Sequence, residues 1–434
     1  MNESLASSSP PIQLVFYQVL YSQDLALSTR FRIEVPLKGA TLNYLESPPS
    51  NVNPVRVVAF LEATSVTGPA RNLLEFCQLA ADIPRPWGPV EMVLATFRRP
   101  HQSPERDAFL ESAAASNVPV EVIREQSAVD FGTLGRMRDL VNRIRPDILQ
   151  THNVKSNFLI CLSGLAKEYP WVAWHHGYTR PTRKQEFYNR FDRISLRRAR
   201  RVVTVTSAFI PELKASGVPG EKVEVIRNAI QPDWLKQGPP TPAPEWSVPL
   251  REGGTRIVLS IGRLSKEKAH ADLIEAIALL QSRSAAATNV HLVLVGDGYE
   301  REALVALARR LRVEITLTGQ VHNVRPYFAL ADVFVLPSHS EGSPNVLIEA
   351  MATGIPIIST AVGGVADILD NEKEALLVPP SSPQALAVAL ARVLDNRDMA
   401  AGLAAAARAR ASSELQPRPR ALQIARLYRH VIGL

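Results

Sequence analysis

Between residues 55 and 380, short apolar runs alternate with glycine-bearing turns and helix-patterned stretches, and this alternation restricts the possible folds more than any other feature of the chain. A strand buried on both faces reads as a continuous apolar run, and parallel neighbours need a crossover between them, usually a helix. The runs at 55–61, 90–96, 118–123, 147–151, 172–174, 202–205 and 223–226 fit one doubly wound sheet, with helices expected at 106–115 and 131–144. The pattern restarts at 256–260, 290–295, 331–338 and 356–360, with later helices at 385–394, 400–412 and 420–432. The expected fold class is therefore α/β with two Rossmann-like domains. Residues 237–244 (Gln-Gly-Pro-Pro-Thr-Pro-Ala-Pro) are a linker by composition. They place a first domain at 54–236, a Pro-rich linker at 237–250, a second domain at 251–412 and a terminal helix in 413–434. Residues 1–53, with strand-like pieces at 14–20 and 31–37, form an N-terminal extension to which no role is assigned.

Four segments of the second domain bear chemistry. From Ser338 to Ala352 two carboxylates, Glu341 and Glu349, frame the start of a helix, with Ser343 expected as N-cap, Pro344 at the first helical position, and Gly354 and Pro356 as the stop. Unpaired N–H groups at a helix start attract phosphate, so two acidic groups beside it suit the gripping of hydroxyls. Phosphate plus polyol describes a nucleotide sugar. Strand 256–260 leads into Ile261-Gly262-Arg263-Leu264-Ser265-Lys266-Glu267-Lys268, where Arg263 offers a bidentate fork and Lys268 a mobile point charge for a diphosphate. Gly296-Asp297-Gly298 and Gly363-Gly364 are glycine turns after strands, a pattern that lets backbone approach a ligand.

Together these motifs resemble glycosyltransferase family 4: Glu341 to Glu349 is similar to its Glu-(seven residues)-Glu motif, and Gly262 to Lys268 to its Gly-Arg-Leu-x-x-Glu-Lys-Gly signature. Two departures stand out, Ala269 where the final Gly is usual and Asp367 where Glu is usual. The resemblance implies the GT-B architecture, two Rossmann-like domains facing each other across a cleft. It implies retaining transfer of a sugar from a nucleoside-diphosphate sugar, without a metal, to a glycan, lipid-linked or small-molecule acceptor, as in cell-envelope polysaccharide synthesis. It implies catalytic roles for Arg263, Lys268, Glu341 and His176, the last in Trp174-His175-His176-Gly177. Donor contacts fall to Gly262, Gly296, Gly298, Val321, Glu349, Gly363 and Gly364, and acceptor contacts to Gly68 and His152. For 150–155, which contains His152, the residues themselves leave two readings, meeting the acceptor or capping the next helix. The rival readings are a non-catalytic nucleotide-sugar-binding protein and a GT-B-fold epimerase.

Composition sets the surroundings. A chain of 434 residues with 46% hydrophobic content can fill two cores, and a net charge of +7 favours anionic partners. No zinc-ligand spacing or recognition-helix signature accompanies the charge, which argues against nucleic acid. Two distant cysteines, Cys77 and Cys161, fit a reducing cytoplasm. The basic run from Arg180 to Arg201, interleaved with Tyr178, Phe187, Tyr188, Phe191, Ile194 and Leu196, has the character of an interfacial segment attracted to the anionic inner face of a membrane.

Overall fold

The computed structural model describes residues 53–100, 107–127, 130–177, 183–231, 234, 244–283, 289–321 and 323–434. The strand-like pieces at 14–20 and 31–37 lie outside the described residues. The first sheet has seven strands: β1 (Val55–Phe60), β2 (Val90–Arg98), β3 (Val120–Arg124), β4 (Ile148–Thr151), β5 (Trp171–His175), β6 (Arg201–Thr204) and β7 (Val223–Val225). Their order is β3-β2-β1-β4-β5-β6-β7 and every pairing is parallel. The second sheet has six: β8 (Arg256–Ile261), β9 (Val290–Val295), β10 (Ile315–Leu317), β11 (Val333–Leu336), β12 (Ile357–Thr360) and β13 (Leu376–Val378). Its order is β10-β9-β8-β11-β12-β13, again all parallel.

In each sheet the order reverses beside the first strand, at β1/β4 and at β8/β11, and loops at the carboxyl ends of such strands form a crevice. Apolar side chains cover both faces of both sheets, giving one core on each face. The helix Arg397–Glu414 belongs to the second domain, where Ala407 and Ala411 are buried. The next helix, Pro417–Val431, returns to the first: Ile424, Leu427, Tyr428 and Val431 pack with Leu73 and Phe76 of helix Gly68–Ala80. At about 1.5–3 kcal/mol per large apolar side chain, this contact holds the helix firmly on the first domain. The two chain crossings between domains touch, Ile230 N–H donating to the Leu415 carbonyl at 2.7 Å.

Local details differ from the sequence expectation. The end of the linker is helical, a turn at Glu245–Ser247 running into Val248–Glu252, because Pro244 and Pro249 precede and open these turns instead of interrupting them. The two-glutamate helix starts at Asn345, with Pro344 as N-cap in extended conformation; the Ser343 hydroxyl makes no cap bond. The helix after Gly364 is a single turn, Val365–Ile368.

Ala269 adopts φ 50° and ψ 37°, the left-handed turn that the missing glycine would make without strain. Ala269→Gly is expected to stabilise the protein by about 0.5–1 kcal/mol, the relief of Cβ strain less the greater unfolded-state entropy of glycine. A denaturant midpoint at or below that of the wild type would contradict this.

Candidate active site

A cleft of about 760 Å³ lies between the two sets of strand-end loops. On the second-domain side the chain leaves β8 at Ile261, passes Arg263, and turns through Lys266–Lys268 so that Lys268 points into the cleft. Its Nζ lies 2.7 Å from Glu341 Oε1, which also accepts from Ser338 Oγ at 2.6 Å. Glu341 is 8% exposed, so its carboxylate is buried and neutralised locally. Arg263 extends into solvent, 3.9 Å from Glu267 at its nearest ion-pair contact. Val321, Asn323 and Arg325 continue this wall.

Glu349, inside the helix Asn345–Thr353, points to the same cleft and receives Arg71 Nη1 at 2.9 Å from the opposite domain. Burial pushes the Glu349 carboxyl above its ordinary value, against the pull of Arg71 and Arg325. Below this pair Asn72 donates to Asn228, which donates in turn to the Ser343 carbonyl and to Asn345 Oδ1, at 2.8–3.0 Å. At the other end of the interface Asp367 accepts from Thr206 Oγ1, Ser207 N and Ser207 Oγ at 2.6–2.7 Å. Burial acts to raise the Asp367 carboxyl, but these hydrogen bonds outweigh it and hold the group below the usual range. The residue that departs from the family pattern thus ties the two domains together.

The first-domain wall is Thr67 to Arg71 and His176. Gly68 opens its helix 3.3 Å, measured from where a Cβ would sit, from Asn345 Nδ2 of the opposite domain. The rings of Trp174, His152 and His176 lie nearly parallel, with centroids 5.6–6.0 Å apart. Burial, aided by the charges of His175 and Arg420, pushes His176 down to about 3, so it is neutral at physiological pH.

Of the sequence-derived site residues, Arg263, Lys268, Glu341, Glu349, Val321, His176 and Gly68 meet in this cleft. His152 does not: it is 6% exposed and sits behind His176, one layer from the surface expected for an acceptor contact. The helix beside it is capped by Asn153 and Ser156. The backbone of the glycine turns is close-packed. A Cβ at Gly296 would overlap the Gly262 carbonyl, one at Gly298 the Leu264 carbonyl, and those at Gly363 and Gly364 the carbonyls of Glu341 and Gly342. These glycines let one strand-end loop pack on the next, which is what sets Lys268 and Glu341 in place. Arg71, Asn72, Asn228, Asn345 and Arg325 were not singled out from sequence. Arg71 stood in a recognisable strand–glycine–helix segment, but its partner lies 278 residues away.

Two parallel-sheet domains with a polar cleft across their carboxyl-end loops make up the GT-B architecture. The chain matches "Glycosyltransferase Family 4" over residues 89–234 and "Glycosyl transferases group 1" over 255–396, one match in each domain. The chain belongs to glycosyltransferase family 4. It is 43% identical over 139 residues to TuaC of Bacillus subtilis (strain 168), named for teichuronic acid biosynthesis, covering 32% of each chain. It is 31% identical over 219 residues to the GDP-mannose-dependent alpha-(1-6)-phosphatidylinositol monomannoside mannosyltransferase of Mycobacterium tuberculosis, covering 48% of this chain and 56% of that one. These matches thus span from about a third to just over half of the relatives' length. Anabaena Alr3699/HepE, solved in complex with UDP, has the same fold with a TM-score of 0.71 and 20% identity, over 86% of this chain and 99% of that one.

Proposed function

We propose that the protein transfers a sugar from a nucleoside-diphosphate sugar to a glycan or lipid-linked acceptor, with retention of configuration, in cell-envelope polysaccharide synthesis. The observation that carries this reading is the charge of the cleft: Arg71, Arg263, Lys268 and Arg325 against Glu341 and Glu349, an excess of positive charge suited to a diphosphate. The names of the relatives support the envelope role. Arg263 and Lys268, not a metal, would neutralise the leaving diphosphate, while Glu349 exchanges Arg71 for the ribose hydroxyls. Glu341 is engaged by Lys268, Glu349 by Arg71, and His176 is neutral. With no side chain of the cleft among the described residues poised as nucleophile or base, front-face attack by the acceptor hydroxyl fits, its proton passing to the departing phosphate oxygen.

Incubation with labelled nucleotide sugars, with and without acceptor glycans, tests this. Transfer supports it; isomerisation would mark an epimerase, and binding without turnover a non-catalytic protein.

The same reading extends to a cytoplasmic enzyme resting on an anionic membrane face. Along the helix Arg183–Leu196, Asn189, Asp192 and Ser195 are buried, while Tyr188, Phe191 and Ile194 are 40–51% exposed. Phe158 and Leu162 of the adjoining helix Val154–Leu162 extend this apolar patch, and Arg190, Arg197 and Arg198 are exposed beside it. Of the basic run, residues 178–182 lie outside the described residues. No helix among the described residues is long and apolar enough to cross a membrane. Each basic residue near such a surface contributes about 1 kcal/mol, falling with salt. The protein is expected to pellet with anionic but not neutral vesicles at low salt. No pelleting with either would remove the membrane from the proposal.

A further inference from the structure

Behind the first-domain wall a single file of polar side chains starts on the chain's last helix and ends on the cleft-lining imidazole. Tyr428, fully buried, lies with its hydroxyl 2.5 Å from Gln150 Oε1. Gln150 Nε2 lies 2.7 Å from His152 Nε2, and His152 Nδ1 lies 3.3 Å from His176 Nε2. We propose that Gln150, His152 and Tyr428 are positioning residues that fix His176 as a neutral imidazole with its proton on Nδ1, so that it meets a bound sugar as a hydrogen-bond donor. This rests on the sugar-transfer reading of the cleft.

The polarity follows from what each atom can do. A buried phenol must place its proton, and the Gln150 carbonyl takes it. The other end of that amide is NH₂, which only donates, so His152 Nε2 accepts. A neutral imidazole with a bare Nε2 carries its proton on Nδ1, so His152 donates to His176 Nε2, and the His176 proton is left on Nδ1. Turning the amide over would aim its NH₂ at Tyr428 and leave the phenol proton without an acceptor among the described residues, at the cost of an unsatisfied buried donor. The file is also closed against a second proton. Burial pushes His152 well below its ordinary value, and the neighbouring His176 and Arg420 push in the same direction. The Trp174 ring lies nearly parallel to both imidazoles, and Arg420 lies over Trp174, 5.6 Å from its ring centroid.

Long-range proton–nitrogen NMR of the histidine side chains in the full chain at neutral pH reads the tautomers directly. The wild type is expected to show His152 and His176 both protonated on Nδ1; an Nε2 proton on His176 overturns the proposal. Gln150→Glu replaces the NH₂ with an acceptor, so His152 should donate from Nε2 and accept from His176 Nε2–H, inverting both tautomers. Turnover should then fall about tenfold, the scale of one mismatched hydrogen bond, with donor KM changed far less. Inverted tautomers with unchanged turnover overturn the donor role. Tyr428→Phe, which keeps the aromatic packing, should release the amide and mix the two tautomers; signals identical to the wild type overturn the relay even if Gln150→Glu does not fold. A wild type that transfers no sugar would instead sink the activity reading, while the tautomers still report on the relay.

Discussion

Lys268→Ala is expected to lower turnover with the cognate nucleotide sugar by about 10²–10³-fold, equivalent to the roughly 2.7–4 kcal/mol that a lost oxyanion donor removes from the transition state. Two effects act in one direction. The ammonium no longer meets charge developing on the diphosphate, and the Glu341 carboxylate, buried and now held only by Ser338 Oγ, becomes an uncompensated negative charge beside it. Lys268→Arg keeps the charge and should recover part of the loss. Arg263→Ala removes a side chain that is 65% exposed and only loosely paired, so its effect should be smaller than that of Lys268→Ala. Single-turnover kinetics on folded protein decide the matter: near-wild-type rates for Lys268→Ala would remove this lysine from the chemistry.

Acidification is expected to destabilise the protein well above the usual carboxylate range. Burial holds His175 and His270 near 4 and His176 near 3, against 6.5 when unfolded. Between those values the unfolded chain binds more protons than the folded one, so the stability these groups allow is complete above pH 6.5 and falls as pH drops towards 4. At pH 5 each has withdrawn about 2 kcal/mol, on the order of 6 kcal/mol for the three. Glu75 opposes them. Burial raises its carboxyl to about 7 despite Arg420 and Arg71, so the folded state holds that proton more tightly and gains about 2 kcal/mol on going from pH 7 to 5. The balance, on the order of 4 kcal/mol lost, is a large share of a typical folding free energy of about 5–15 kcal/mol. Denaturant midpoints at pH 7, 6 and 5 should fall in that order; a flat series would show that these imidazoles are hydrated or paired in solution.

Strand alternation was readable because burial on both faces forces continuous apolar runs such as 290–295, and each run reports its own environment. The two-glutamate helix and the Lys268 turn were readable for the same local reason, since glycine, proline and charge stand within a few residues of one another. What escaped the sequence is contact between distant segments. Nothing near Arg71 announces Glu349, nothing near Asn228 announces Asn72 and Asn345, and Asp367 looks like a conservative replacement until Thr206 and Ser207 are seen beside it. The glycines were legible as tight turns but not as packing surfaces, because a glycine that admits a phosphate and one that admits a neighbouring carbonyl look alike in one dimension. A strand-end position places His152 near the cleft, but only the fold shows that His176 lines the cleft while His152 is buried.

The bond between Ile230 and Leu415 fixes where the two domains can pivot. Two covalent crossings side by side act as a door hinge: they permit rotation about their common line and resist sliding or twisting. Contacts across the cleft, Arg71 with Glu349 and the Asp367 cluster, then work as latches. On the function proposed above, a donor that took Glu349 from Arg71 would undo one latch on arrival. Entry of the nucleotide and the freedom of the domains to swing apart would then be one event, with the pivot itself untouched.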